Sequence, residues 1–275
     1  MTLLTSTSDV GGLLTDSIGK LVVQPVLAES VAAQVATVVS TGAHTYRLPV
    51  VASDPTAGWF AEGAEITPSD AALEEVIVTP SKLAGLSIIS RELAEDSSPA
   101  AAQVVGQGLA RDLARKLDVA FFANTTTNGP SGLLSLTTST TVAAFTSTDV
   151  FAAAISEAET FGAKLDHFVT TPAVALTLAQ LRKATGSNEP LLGSDATKPG
   201  TRTILGVPLL VSPAVSSGVV WGIDSSFVQV VVRDDTRLEV DRSAYFSSDR
   251  VGVKATMRAG FAFPHPLSIQ KITAA

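Results

Sequence analysis

One apolar stripe dominates the pattern of the chain. Val105, Leu109, Leu113, Leu117 and Phe121 recur every four residues, which places them on one face of a helix. Asp96-Ser97-Ser98 offers capping side chains and Pro99 suits a first turn. The spacing therefore predicts a helix over 99–123, about 36 Å long. Arg111, Asp112, Arg115, Lys116 and Asp118 fall opposite the stripe, on the face expected to meet water. Gly106 and Gly108 lie inside this helix, where each costs about 1 kcal/mol against Ala. Close backbone packing is the expected reason, with a bend as the other reading. Two more helices are predicted. One runs over about 149–163, with Val150, Phe151, Ala154, Ile155, Ala158 and Phe161 on its apolar side. The other opens on Thr171 and Pro172 and runs to about Ala184.

Strand patterns fill much of the rest. Tyr46 to Val51, Glu75 to Thr79, Lys82 to Ser90, His167 to Thr170, Ile204 to Ser212, Val219 to Ile223, Phe227 to Arg233 and Val251 to Phe263 are rich in β-branched and apolar residues. Arg237 to Asp241 alternates charged and apolar side chains, so one of its faces should be wet. Residues 1–44 read as an arm with a Gly11-Gly12 break, Pro25 and a short helix over 26–38. Residues 124–147 and 187–200 read as turns and polar loop, and no internal repeat is present. Strands and helices mix without a regular β-α-β alternation, which predicts an α+β fold.

The first two strands bracket a long polar hairpin over 52–72 that carries Trp59-Phe60. Two large aromatics on a polar loop are costly to leave in water. Either they pack on their own domain, or they anchor in a partner.

Composition sharpens that choice. The 275 residues are 45% hydrophobic and 16% charged, enough for a substantial core and incompatible with wholesale disorder. Aromatics are only 5%, so the core is aliphatic and the Trp-Phe pair stands out. There is no Cys, which excludes disulfides, thiolate metal sites and a Cys nucleophile. The net charge of −7 argues against wrapping a duplex through a basic surface. That charge is uneven: residues 1–100 carry 4 basic and 12 acidic side chains. Between Arg47 and Lys82 no basic residue occurs, while Asp54, Glu62, Glu65, Asp70, Glu74 and Glu75 do. Such a run is either a solvated loop or a segment that docks on a basic surface. The N-terminus has no basic region followed by an apolar core, and Leu21 to Val39 is interrupted by Gln24, Pro25, Glu29 and Gln34. Neither a secretory signal nor a membrane span is expected, and the chain reads as a soluble protein made in the cytoplasm.

Candidate chemistry is thin. No phosphate-binding loop, dinucleotide fingerprint or nucleophile elbow occurs. His44, His167 and His265 are dispersed; Asp166-His167 reads as a chance neighbour pair and His265 as structural. Asp234, Asp235, Glu239 and Asp241 alternate with Arg233, Arg237 and Arg242, which favours a salt-bridged strand face over a cation site. Asn124-Thr125-Thr126 matches a glycosylation acceptor without other signs of secretion. No catalytic residue, metal site or cofactor is assigned.

The order of parts resembles a known family. Gly58-Trp59-Phe60-Ala61-Glu62-Gly63-Ala64-Glu65-Ile66 leads to Val76-Ile77-Val78-Thr79-Pro80-Ser81-Lys82-Leu83-Ala84. Ser90-Arg91-Glu92-Leu93, Asp96-Ser97, Gly206-Val207-Pro208-Leu209 and Arg258-Ala259-Gly260-Phe261 follow in order. Together these resemble the major capsid proteins of tailed bacteriophages, the Hong Kong 97-type fold. The resemblance implies an N-terminal arm over 1–45, an extended loop hairpin over 46–82 that lies on a neighbouring subunit, and a peripheral domain over 83–164 with the spine helix 99–123. It also implies an axial domain over about 165–230 and a return to the peripheral domain over 231–275.

By the same resemblance the function is the head shell of a tailed phage or prophage, an icosahedral assembly around double-stranded DNA. Its partners would be copies of the chain in pentamers and hexamers, a separate scaffolding protein and a portal, with no membrane. The absence of a long scaffolding segment before the arm suggests either that separate scaffold or a segment already removed. One branch of the family cross-links neighbours through a loop lysine; none lies between Arg47 and Lys82, so no such cross-link is expected. The expected inter-subunit contacts are Trp59, Phe60, Glu62, Glu65, Asp70, Glu74 and Glu75 on the hairpin, which is expected to lie on Arg111, Arg115 and Lys116 on the wet face of a neighbour's long helix. An encapsulin-like compartment subunit is the first alternative. A soluble α+β enzyme with an unrecognised site is the second.

Overall fold

The computed structural model describes residues 26–63, 65–90, 92, 100–184, 187–192, 202–234, 237–241 and 243–274. The expected capping residues Asp96 to Pro99, the Gly11-Gly12 break, Pro25 and most of the 187–200 loop lie outside these. Among the described residues the fold is α+β, with two main sheets and a separate hairpin.

The first sheet is built on β12 (Arg250–Ala262), the longest strand. β4 (Ser81–Ser90) pairs antiparallel along one edge of it. The other edge takes β10 (Gln229–Arg233) and then β11 (Arg237–Asp241), also antiparallel. Ala259 shows the division, pairing with Ser81 on one side and Val232 on the other. β1 (Thr37–Thr41) closes the sheet in parallel with β10. The expected helix over 26–38 therefore ends early. Ser30 caps α1 (Val31–Val35), and Ala36 is already extended. Thr37-Val38-Val39-Ser40-Thr41 is β-branched and takes a strand partner instead.

The predicted long helix is α2 (Ala100–Phe122). Leu113, Leu117 and Phe121 are buried against Ala255, Met257, Ala259 and Phe261 of β12. Val105 and Leu109 continue the stripe onto Ile89, Val251 and Val253. Close packing comes from the sheet rather than from the helix glycines. A Cβ on Gly85 of β4 would stand 3.0 Å from Leu109, whereas one on Gly106 or Gly108 meets nothing closer than 3.6 Å. Asp118 departs from the expectation of a wet position. It is only 7% exposed, because Ala110 and Ala114, four and eight residues back, form a small-residue row that also packs inward.

The second sheet has the order β5-β13-β9-β6-β8-β7. Its strands are β5 (Ser139–Val142), β6 (His167–Thr170), β7 (Arg202–Ile204), β8 (Val207–Val211), β9 (Val219–Ile223) and β13 (Gln270–Thr273). The stretch read as one strand over 204–212 is a hairpin, since Leu205 and Gly206 both turn at positive φ. α3 (Asp149–Thr160) and α4 (Pro172–Ala179) pack on one face with Phe168, Leu209 and Val220. Thr171 caps α4 as expected, its hydroxyl accepting from Val174 N, but the helix ends at Ala179 rather than Ala184. Phe161 lies past the end of α3, where Gly162 turns the chain, and is 39% exposed rather than part of the apolar-face core. The opposite face of β9 and β6 carries Trp221, Ile223 and Val169 into the core under α2, so the two sheets share one apolar interior. β5 and α3, from within the range 83–164, and β13, from within 231–275, belong to this second sheet.

Candidate assembly surfaces

The third element is a two-stranded hairpin of β2 (Tyr46–Ser53) and β3 (Ala72–Val78). Its root is fixed. Tyr46, Leu48, Val76 and Val78 pack on Val231 and Ala262, and Tyr46 Oη bonds Gln229 Oε1 at 3.3 Å. Alternation sets the side on which this happens. In β12 the odd-numbered residues 251–261 point at α2. Gly260 and Ala262 therefore face the other way, and Val78 lies directly over Gly260. The hairpin thus rises from the sheet face opposite the long helix.

Beyond its root the hairpin leaves the domain. Trp59 is fully exposed at 105%, while Phe60, at 44%, folds back over Gly58. Glu62, Glu65, Asp70 and Glu74 are exposed. Glu75 is the exception to a purely outward acidic run, since Arg47 of β2 reaches it at 3.2 Å. Of the two readings of Trp59, packing on its own domain is not what the fold shows.

Arg111, Asp112, Arg115 and Lys116 are exposed on the side of α2 turned away from the sheet. Val104 and Val119 are exposed on the same helical line. The fold does not bring this basic group and the acidic hairpin together within one subunit, because they lie on opposite sides of the first sheet.

A third surface escaped the sequence reading. Leu86 and Ile88 of β4 are 58% and 43% exposed on the open part of the hairpin's own sheet face. Lys82 precedes them on that strand, and Leu86 pairs across to Lys254. Lys254 in turn pairs with Glu239 of β11. The Lys254 ammonium holds the Glu239 carboxyl below its ordinary value, by hydrogen bond first and charge second. The strand face expected to be salt-bridged thus takes this partner from β12. The overlooked signal was in Lys82 to Ser90, whose apolar residues occupy both alternation parities.

Among the described residues one Asp, His and Ser meet, without forming a catalytic relay. Asp166 holds His167 Nδ1 at 2.8 Å and accepts from Ser225 Oγ at 2.5 Å and Ser225 N at 3.2 Å. His167 and Ser225 meet the same carboxylate rather than each other, so the hydroxyl has no imidazole base. The adjacency read as chance is a turn-fastening contact. His265 stacks edge-on against Phe227, in keeping with its structural reading. Among the described residues no His, Asp and Glu group could hold a metal ion, and no helix is long and apolar enough to cross a membrane.

A model of the phage capsid family matches residues 11–274, nearly the whole chain. The chain belongs to the phage capsid family. Membership makes it a structural protein of a phage-type head shell, a virion component and not an enzyme. No curated protein sequence matches this family member. Solved structures share its fold. A chain of Mycobacterium phage Adephagia is 18% identical over 90% of each chain, with a TM-score of 0.75. A chain of Mycobacterium phage Bobi is 19% identical over 90% of each, at 0.74. The capsid of a native GTA particle, computed with C5 symmetry, is 20% identical over 88% of this chain and 89% of that one, at 0.70. These likenesses give the mixed α+β capsid fold.

Proposed function

We propose that this capsid protein is the major head subunit of a tailed phage or a related particle, closing by self-association into an icosahedral shell around double-stranded DNA. The observation that carries this reading is the fully exposed Trp59 at the tip of an acidic hairpin that its own domain does not cover. In a shell of heterologous contacts such an element gains its burial from the next copy. The similar chain from a C5 particle supports pentamers, with hexamers completing the shell. A separate scaffolding protein, a portal and assembly in the host cytoplasm belong to the same reading.

In Hong Kong 97 terms, the arm is 1–45 and the extended loop hairpin is 46–82. The peripheral unit is the first sheet with α2, and the axial unit is the second sheet with α3 and α4. Trp59, Phe60, Glu62, Glu65, Asp70, Glu74 and Glu75 are one inter-subunit contact, and Arg111, Arg115 and Lys116 are another. Negative-stain microscopy of the purified chain tests the reading directly. Closed particles of uniform size are expected, and a compact monomer under all assembly conditions would end it.

A further inference from the structure

We propose that Ser30 and Asp118 form a proton-operated catch for the arm. The Asp118 carboxyl holds residues 26–36 against the long helix, tightly as the neutral acid and less tightly as the carboxylate. Among the described residues, the hydrogen bonds that leave this segment for the rest of the subunit all end on that one side chain. Oδ1 accepts from Ser30 Oγ at 2.5 Å and from Ala32 N at 3.0 Å, whereas Oδ2 accepts only from Val31 N at 3.1 Å. Oδ2 therefore has a lone pair to spare for a proton, and a proton there leaves both Oδ1 bonds in place. Ala36 is extended, and from Thr37 the chain belongs to the first sheet, with Thr37 N bonded to Val228 O at 2.9 Å. The catch thus closes on a segment with a defined boundary, which can leave α2 without breaking β1.

Burial is what makes the catch respond to protons. Asp118 is only 7% exposed, and Ser30 against it is fully buried. Among the described residues no opposite charge compensates that burial. Arg111, Asp112, Arg115 and Lys116 of its own helix are exposed to water, as is Glu29 beside Ser30. Ala255, Met257, Ala259 and Phe261, packed against α2, are uncharged, and Lys254 and Arg258 alternate to the other face of β12. Desolvation therefore acts on the carboxylate first, and the three donors offset it only in part. Releasing the segment returns the carboxylate to water and takes those donors away. The docked state holds the proton more firmly than the released one. Docking is strongest below the ordinary carboxylate value and weakens by up to about tenfold per pH unit as pH rises through the raised one. Above that it is level again. Val26, Ala32 and Val35, all fully buried, supply the part of the hold that does not depend on pH.

The test uses the full chain as a dissociated subunit, so it does not depend on the shell reading. The chain has no Cys, so Ala32→Cys reports exposure of this segment alone. Its rate of reaction with an aromatic disulfide reagent is divided, at each pH, by the rate of the same variant unfolded in urea. That ratio should climb by up to about tenfold per pH unit above the ordinary carboxylate range and then level off. In Ala32→Cys/Asp118→Asn, where the side chain stays neutral, the ratio should be flat. Val35→Cys gives the same readout from the other buried position of α1, should a thiol at residue 32 disturb the fold. Ala158→Cys, fully buried in the second core, should react at a far lower ratio, which marks the release of the arm as a local event. The proposal is overturned if the ratio does not change with pH, if the pH dependence survives in the Asn variant, or if the Ala158→Cys variant reacts as readily as Ala32→Cys.

Discussion

The hydroxyl of Ser30 donates to Asp118 at 2.5 Å, across 88 residues of sequence. The same carboxylate accepts from Val31 N at 3.1 Å and Ala32 N at 3.0 Å. One acid of the long helix thus satisfies the first amide groups of α1, the orphan donors of any helix start, and fixes where the arm meets the body. Removing it leaves buried donors without partners, at about 1–3 kcal/mol for each such loss. Asp118→Ala is expected to lower the stability of the dissociated subunit by at least about 2 kcal/mol, read by chemical unfolding. Asp118→Asn should cost less, since its amide oxygen still accepts.

The pH dependence of this site has a definite sign. Burial pushes the Asp118 carboxyl above its ordinary value, and the three donated bonds offset this only in part. Its native state takes up a proton before the unfolded chain does. The associated stabilisation is full below the unfolded carboxylate value, and it is lost as pH rises through the raised native one. Glu239 runs the other way. Its carboxyl is lowered by Lys254, so that contribution is present above the unfolded value and fades on acidification through the lowered one. The Glu239 pair is solvent-exposed and worth at most about 1 kcal/mol. Asp118→Asn should therefore steepen the loss of stability toward acid relative to wild type. Unfolding curves from neutral to about pH 4 check this, and parallel profiles would contradict it.

Gly132 lies where the chain folds back over the end of α2. A Cβ there would stand 2.2 Å from Ala120 O and 2.5 Å from Phe121 O. The close approach lets Gly132 N reach Asn124 O and Leu134 N reach Ala123 O, satisfying the end of the helix. Gly132→Ala is expected to destabilise the subunit by about 1–3 kcal/mol, because backbone and not a pliable side chain must move. Thermal unfolding measures it; an unchanged midpoint would contradict this packing.

The long helix and its buried face were legible because a four-residue apolar period has few other solutions. The capsid architecture was legible through the order of its segments, not through any single motif. Asp118 was misread because charge alone placed it in water. Its burial depends on Ala110 and Ala114, whose small side chains carry little signal, and on Ser30 from a distant segment. The turn at Leu205-Gly206 was missed because Leu is an unusual residue at positive φ. The outer face of β4 was missed because a strand apolar on both faces reads equally well as fully buried. The hairpin's acids were seen, but which side of the sheet they leave from is a tertiary fact.

Trp59 provides a clean separation of folding from assembly. It touches no core, so Trp59→Ala should change subunit stability by no more than about 0.5 kcal/mol. An aromatic anchor lost from an interface costs about 2 kcal/mol or more at each contact. Because every subunit of the proposed shell would make this contact, the assembly threshold should rise steeply. Light scattering against protein concentration measures that threshold. Wild-type assembly by the Ala variant would show that Trp59 stays in water within the particle.

Arg111 and Arg115 test the other side of the subunit. Both are exposed on α2, on the line that also carries Val104 and Val119. Neither supports the fold of its own chain, so Arg111→Glu/Arg115→Glu should leave the unfolding midpoint within about 0.5 kcal/mol of wild type. Where this face meets a neighbouring copy, as proposed above, the double reversal should lower particle yield. That loss should lessen at high salt, since screening weakens the repulsion it introduces. Particle counts by microscopy, with and without added salt, check both statements. Yields equal to wild type at low salt would show that this face of the helix meets nothing during assembly.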